Sequence, residues 1–278
     1  MRSIAIYGKG GIGKSTIASH IAAVWALQGY QVMLIGCDPK ADSTRLITGK
    51  KIPSIIDHYE EILNNIDDKI EANILDGYLF CGFSGIKCVE TGGPKPGVGC
   101  AGIGFSLSLE LIRRAGVLEK MDFVIYDILG DVVCGGFAVP MRLGYANEIY
   151  IVTSGEYASL YAANNITKGV RNMSIKLGGI IGNCRGLRDE DKQIKAFAQA
   201  IGINVVGIVP HSSNFPTSEL LRKTLIQLAP TEKEGKILFE LAKSIQENKN
   251  LNDAKPFEED ELENWFINFF EPDPQNIE

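Results

Sequence analysis

Gly8-Lys9-Gly10-Gly11-Ile12-Gly13-Lys14-Ser15 follows the apolar run Ile4 to Tyr7 and opens a helix-like segment, Thr16 to Leu27. A strand, a glycine-rich loop and a helix in that order is the setting of a phosphate-binding P-loop. The glycines let successive backbone N–H groups turn inward as an anion nest. The helix adds its positive N-terminal end. Lys14 is placed to reach the β- and γ-phosphates of a nucleotide, and the Ser15 hydroxyl to ligate Mg2+. Two carboxylates stand straight after buried runs. Asp38 follows Gln31–Gly36, in Cys37-Asp38-Pro39-Lys40-Ala41-Asp42-Ser43-Thr44; Asp127 follows Asp122–Tyr126, in Asp127-Ile128-Leu129-Gly130-Asp131. Beside a P-loop, such positions handle the metal and the attacking water. Asp38 is the candidate for orienting that water and Asp127 for holding Mg2+, directly or through a water. Asp42 and Asp131, four residues further on, are candidates for sensing the γ-phosphate. Helix capping is the plainer use of Asp38 and Asp127, and the two uses are compatible.

The cysteines carry a second chemistry. There are six, Cys37, Cys81, Cys88, Cys100, Cys134 and Cys184, and none form a C-x2-C pair. Zinc-finger and ferredoxin spacings are therefore absent, and an even count in a chain of this kind is not a disulfide framework. Cys100 lies in Gly97-Val98-Gly99-Cys100-Ala101-Gly102 and Cys134 in Asp131-Val132-Val133-Cys134-Gly135-Gly136. Each is ringed by small residues at an expected helix start, where free N–H groups stabilise a thiolate and hydrogen-bond cluster sulfurs. One chain offers two such ligands, whereas a 4Fe–4S cluster takes about four. A two-fold dimer doubles the set. The remaining cysteines read as small buried hydrophobes.

The elements that must position these groups alternate. Gln31–Gly36, Asp122–Tyr126, Glu148–Val152, Leu177–Ile181 and Asn204–Val209 read as buried strands. Ser54–Ile66, Ser106–Ala115, Tyr157–Met173, Asp189–Ala200 and Glu219–Leu228 have helical spacing. Alternation of this kind predicts an α/β fold: a P-loop NTPase with a mostly parallel sheet and helices on both faces. Ligands in such folds sit at the carboxyl ends of the strands, where the P-loop, Asp38, Asp127 and Asn183 all fall.

At 278 residues and 45% hydrophobic content the chain can bury one large core. No Pro/Gly/Ser linker divides it, so residues 1–278 are expected to form a single P-loop ATPase domain with an acidic C-terminal helix or tail from about 250 to 278. That tail holds nine acids and one lysine, against −6 for the whole chain. No basic face suggests nucleic acid. No apolar run reaches the roughly eighteen residues of a membrane span, and no signal peptide is evident; the expected location is cytoplasmic. Leu262, Trp265, Phe266, Phe269 and Phe270 fall on one helical face, suited either to the chain's own core or to a second subunit.

Five segments, Gly8–Thr16, Gly36–Leu46, Lys87–Gly102, Tyr126–Phe137 and Glu148–Gly169, resemble the nitrogenase iron protein family. The stretches K-C-V-E-T-G-G-P-K-P-G-V-G-C-A-G and Y-D-I-L-G-D-V-V-C-G-G-F-A are highly specific to it. The ParA/MinD ATPases share the G-K-G-G-x-G-K-S loop but need neither cysteine segment. The resemblance implies a homodimer with one 4Fe–4S cluster bridging the subunits through Cys100 and Cys134. It also implies MgATP hydrolysis that gates electron transfer to a catalytic metalloprotein, with a ferredoxin or flavodoxin as donor. Gly8, Lys9, Gly10, Gly11, Ile12, Gly13, Lys14, Ser15, Thr16, Asp38, Lys40 and Asp127 would serve the nucleotide, with Lys9 reaching across the dimer to the partner's ATP. Asp42 and Asp131 would fall in switch regions, and Asn183, Pro210 and Glu219 in the adenine region.

The departures bear on the client. Ile103 stands where the family's nitrogenase members carry an arginine beside the cluster, Ser212 where an aspartate is usual, and Pro216 where a glutamine is usual. Ala41-Asp42-Ser43-Thr44 leans toward nitrogenase-type members; Ile103 leans away from nitrogenase itself, toward components that act on tetrapyrroles such as nickel-sirohydrochlorin. A cluster-free ParA/MinD-like ATPase is the competing reading.

Overall fold

A computed structural model describes residues 1–58, 74–93, 101–128, 130, 144–172, 177–258 and 260–270, without the side chains of 101–103 and 270. Asp131, Cys100 and Cys134 lie outside the described residues, as does most of the expected helix Ser54–Ile66.

Among the described residues eight strands form one sheet: β1 (Arg2–Tyr7), β2 (Val32–Cys37), β3 (Phe80–Cys81), β4 (Lys87–Glu90), β5 (Phe123–Ile128), β6 (Glu148–Thr153), β7 (Leu177–Asn183) and β8 (Val205–Val209). Their order is β3-β4-β2-β5-β1-β6-β7-β8. All pair in parallel except the edge hairpin β3–β4. The helices described are α1 (Lys14–Leu27), α2 (Arg45–Thr48), α3 (Ala101–Arg114), α4 (Tyr157–Asn172), α5 (Glu190–Ala200), α6 (Asn214–Leu221), α7 (Leu225–Leu228), α8 (Lys233–Glu247) and α9 (Glu261–Phe270).

Because successive strand residues face opposite sides, each central strand feeds two cores. Ala5 and Tyr7 of β1 join Leu109 and Ile112 of α3, Leu160 and Ile166 of α4, and Ile194 and Phe197 of α5. Ile4 and Ile6 join α1, α7 and α8 on the other face. Helix α1 is sandwiched between the sheet and α8. Its Trp25 stacks on Phe123 at 4.1 Å between centroids and donates its indole N–H to the Ala242 carbonyl at 3.3 Å. That sandwich fixes the axis of the helix whose first turn carries Lys14 and Ser15.

The structure revises two of the expected elements and decides a third case that the sequence left open. The strand expected to end at Tyr126 runs on to Ile128, because Asp127 pairs in register with Ile6 and Gly36. Asp127 is therefore a strand residue and caps no helix among the described residues. The helix expected over Glu219–Leu228 is two helices. Arg222 ends α6 in the left-handed region at φ 54°, and Thr224 restarts the chain with a capping box whose partner is Gln227. The C-terminal helix α9 docks on its own chain. Leu262 is buried, Trp265 packs against Phe197 and Phe257, and Phe266 meets Tyr157 edge-on at 5.1 Å.

Candidate functional site

The carboxyl ends of β1, β2 and β5 open onto a cleft of about 500 Å3 lined by Gly10, Gly11, Gly13, Lys14, Ser15, Thr16, Asp38, Lys40, Asp42, Arg45, Leu46, Gly130 and Glu219. The loop feeding it has the backbone that the glycines were expected to permit. Gly11 and Gly13 have φ of 74° and 99°, conformations in which a Cβ is strained. Gly8 has φ 147° and passes so close to β6 that a Cβ would collide with the Val152 carbonyl. Lys14, nearly buried, donates from Nζ to the Lys9 carbonyl at 3.2 Å, so its ammonium closes the loop from inside. The Ile12 N–H donates to the same carbonyl at 3.2 Å.

Side chains from the far strands brace the outside of the loop. Asn183, the last residue of β7, donates from Nδ2 to the Ile12 carbonyl at 2.7 Å, and the Arg185 guanidinium donates to the Gly11 carbonyl. Asn183, expected in the adenine region, is thus engaged with the loop itself. Pro210 follows β8 directly but does not line the cleft. Glu219 does line it, and its carboxylate accepts from the Thr16 hydroxyl at 3.1 Å. His20 extends this brace. Its Nε2 accepts from the Leu225 N–H at 2.9 Å, which leaves Nδ1 to donate to the Thr16 carbonyl at 2.6 Å. Burial holds His20 down to about 4, in the neutral form that this pair of bonds requires. Ser212 donates to Glu234 of α8 at 2.6 Å. Pro216 sits in the first turn of α6, where a missing N–H costs nothing.

Two buried carboxylates stand at the carboxyl ends of the strands that feed the cleft. Glu90, Gly36 and Asp127 are neighbours in register across β4, β2 and β5. Burial raises Asp127, while the hydroxyls of Ser15 and Ser43 and the Lys14 ammonium oppose that shift. Its Oδ1 is buried and has no hydrogen-bond partner among the described residues. A carboxylate with one unpartnered oxygen, set beside the Ser15 hydroxyl, is the donor chemistry that Mg2+ takes, so the residues here fit that ion. Asp38 lies at the rim and accepts the Lys40 N–H at 2.9 Å, which tightens the turn after β2. Asp42 and Lys40 are exposed on the same wall.

Glu90 escaped the sequence reading. It is fully buried at the end of β4, and burial pushes it up to about 7. Its Oε1 accepts both the N–H and the hydroxyl of Thr44 at 2.7 Å. Arg45, Leu46, Gly130 and Arg185 were also not singled out. A Cβ on Gly130 would collide with Gly10 and with Lys14 Nζ, so that glycine is the one residue type able to lie over the loop there. The described cysteines are dispersed. Cys37 and Cys88 are buried with thiols raised by burial, Cys184 is half-buried and raised to about 11, and Cys81 is exposed. Among the described residues helix α3 begins at Ala101; Cys100 and Cys134 lie outside them.

Comparison with known proteins gives two levels of likeness. The 4Fe-4S iron sulfur cluster binding proteins, NifH/frxC family, match residues 2–271. The chain is 48% identical to nitrogenase iron protein 2 of Methanothermobacter thermautotrophicus, over 97% of this chain and 98% of that one. It is 46% identical to the nitrogenase iron protein of Methanospirillum hungatei, over 95% and 94%. Among solved structures, the septum site-determining protein MinD complexed with Mg-ADP from Pyrococcus horikoshii superposes with a TM-score of 0.67 at 14% identity, covering 88% of this chain and 96% of that one. A ParA family ATPase from Chlorobium tepidum superposes at 0.65 and 18%, covering 87% and 97%. Those two likenesses establish the P-loop NTPase fold.

Proposed function

The chain belongs to the NifH/frxC family of 4Fe-4S iron sulfur cluster binding proteins, and from that premise we propose that it is an ATP-dependent reductase that delivers electrons to a partner metalloprotein. It works as a homodimer in the cytoplasm, with a ferredoxin or flavodoxin as its donor. One combination carries the reading. A P-loop cleft has Asp38 in its lining, the buried Asp127 stands beside Ser15 and Lys14 of that lining, and the same chain bears Cys100 and Cys134 in glycine-rich settings. Cys100 and Cys134 of two chains would hold the cluster, which supplies one-electron transfer when bound.

Each residue has a task in this reading. Lys14 exchanges the Lys9 carbonyl for phosphate oxygens, and Gly8 to Thr16 present N–H groups to them. Ser15 and Asp127 hold Mg2+. Asp38 orients the attacking water. Lys9 of one chain and Lys40 add positive charge where phosphate charge develops. Asp42 and Asp131 respond to the γ-phosphate, and Asn183, Pro210 and Glu219 flank the base. The test is electron transfer from the dithionite-reduced dimer to its partner. Transfer with MgATP and none with a non-hydrolysable analogue is the expected result; equal transfer without nucleotide contradicts it. A cluster-free ATPase rests on the fold likeness alone and leaves the two cysteine segments without a use.

Ile103 bears on the client. An apolar residue three positions after Cys100 replaces a cation on the docking face, so association there depends less on salt and more on apolar burial. The favoured client is a component acting on a nickel tetrapyrrole such as nickel-sirohydrochlorin. With a conventional molybdenum–iron protein the reductase is expected to give no acetylene reduction; robust acetylene reduction refutes this client assignment.

A further inference from the structure

We propose that Glu90 is the positioning residue that couples the Asp38–Thr44 loop of the nucleotide cleft to the chain leading to Cys100. The inference rests on the reductase reading for the meaning of Cys100, and on the following geometry for the coupling. Glu90 is the last residue of β4, and its carboxyl grips the loop through two bonds of 2.7 Å, from the N–H and the hydroxyl of Thr44. Space for that carboxyl exists because residue 36 is glycine. A Cβ there would collide with Glu90 Oε2 and crowd Ser43.

The residues after Glu90 stay against the same loop. The Thr91 N–H donates to the Gly36 carbonyl at 2.8 Å, and Gly93 packs so closely on Pro39 that a Cβ would collide with its ring. The Thr91 carbonyl accepts the Ser108 hydroxyl of α3 at 3.4 Å, and α3 starts at Ala101. A continuous set of contacts therefore runs from Asp38 and Thr44, through Glu90 to Gly93, to the helix that follows Cys100.

The same place holds unmet polar demand. Glu90 Oε2 and Asp127 Oδ1 are both buried without hydrogen-bond partners among the described residues. Ser43 adjoins both carboxyl groups. Buried oxygens left unpaired are costly, so an arrangement of the loop that satisfies them differs in free energy from this one. A ligand at Asp127 can bias that choice, and the grip on Thr44 passes it to β4.

The experiment uses the full-length dimer. Deuterium uptake in peptides covering 87–93 and 101–112 is followed with and without MgATP, with iron content and MgATP affinity measured in parallel. In the parent, MgATP should slow exchange in both peptides. Glu90→Ala should lose at least half of that change while binding MgATP. Glu90→Gln, which keeps an acceptor for Thr44, should restore it, a rescue that a merely space-filling role does not predict for one acceptor over another. Thr44→Val removes one of the two bonds without touching the interior carboxyl and should give an intermediate loss; it decides the matter if Glu90→Ala does not fold. An unchanged response in Thr44→Val or Glu90→Ala overturns the proposal, as does a parent without any MgATP effect at 87–93. Absence of iron from the parent counts against the reductase reading instead, since the exchange readout needs no cluster.

Discussion

Lys14 meets the Lys9 carbonyl at 3.2 Å, and nucleotide binding must trade that neutral acceptor for charged phosphate oxygens. A hydrogen bond to a charged group contributes up to about 3 kcal/mol, so Lys14→Ala should weaken MgATP binding by roughly a hundredfold. Asp38→Asn should bind MgATP with near-parent affinity and hydrolyse it on the order of a hundredfold more slowly. Calorimetric titration and phosphate release check the pair, and unchanged turnover in Asp38→Asn refutes its role with the water. His20 gives a pH signature. Burial lowers it from 6.5 to about 4, so between those values the unfolded chain binds a proton that the folded chain refuses. Its contribution is full above pH 6.5 and is lost as pH falls toward 4, by roughly 3 kcal/mol. Glu90 works in the opposite sense: its folded value is raised from 4.5 to about 7, so its contribution is lost as pH rises through that range. His20→Gln, which keeps a donor and an acceptor, should therefore flatten the acid limb of the parent's melting-temperature profile. Parallel profiles contradict the assignment.

At the level of elements, the P-loop, the central strands and the positions of Asp38 and Asp127 were legible because buried parallel strands read as continuous apolar runs and glycine-rich turns have few other uses. Strand β4, next to the edge, was not, since Lys87-Cys88-Val89-Glu90 is short and its last residue is a carboxylate. Glu90 went with it: nothing in its immediate sequence reveals that glycine at 36, its register partner on the adjacent strand β2, makes room for it. Helix α8 was legible and was missed, its Leu238, Leu241, Ala242 and Ile245 falling on one face. The break after α6 was hidden because Leu220, Leu221, Leu225 and Leu228 keep helical spacing, although Leu220 and Leu221 are exposed. The signal that resolves it is the capping box at Thr224. Arg222 holds a left-handed conformation that costs a non-glycine residue on the order of 1 kcal/mol. Arg222→Gly is expected to raise stability by about 0.5 to 1 kcal/mol, read as a higher urea midpoint; a lower midpoint would show that the Arg222 side chain contributes more than the backbone strain removes.

For the whole molecule, the sheet places the nucleotide cleft and the N-terminus of α3 on chains that leave the same edge, from β2, β4 and β5. Among the described residues no helix is long and apolar enough to cross a membrane. The apolar face of the acidic C-terminal helix is turned inward onto Phe197, Phe257 and Tyr157, which answers the sequence's open question about what that face covers. Its acids are left outside, adding negative charge to the surface. The central claim concerns what two such molecules hold between them. Anaerobically purified protein, reduced with dithionite and examined by low-temperature electron paramagnetic resonance alongside iron analysis, tests it most directly. The account predicts about four irons per pair of chains, a reduced-cluster signal in the parent and in Cys184→Ser, and loss of both in Cys100→Ser and in Cys134→Ser. A colourless, iron-free parent dimer, or a fully loaded Cys134→Ser dimer, contradicts it.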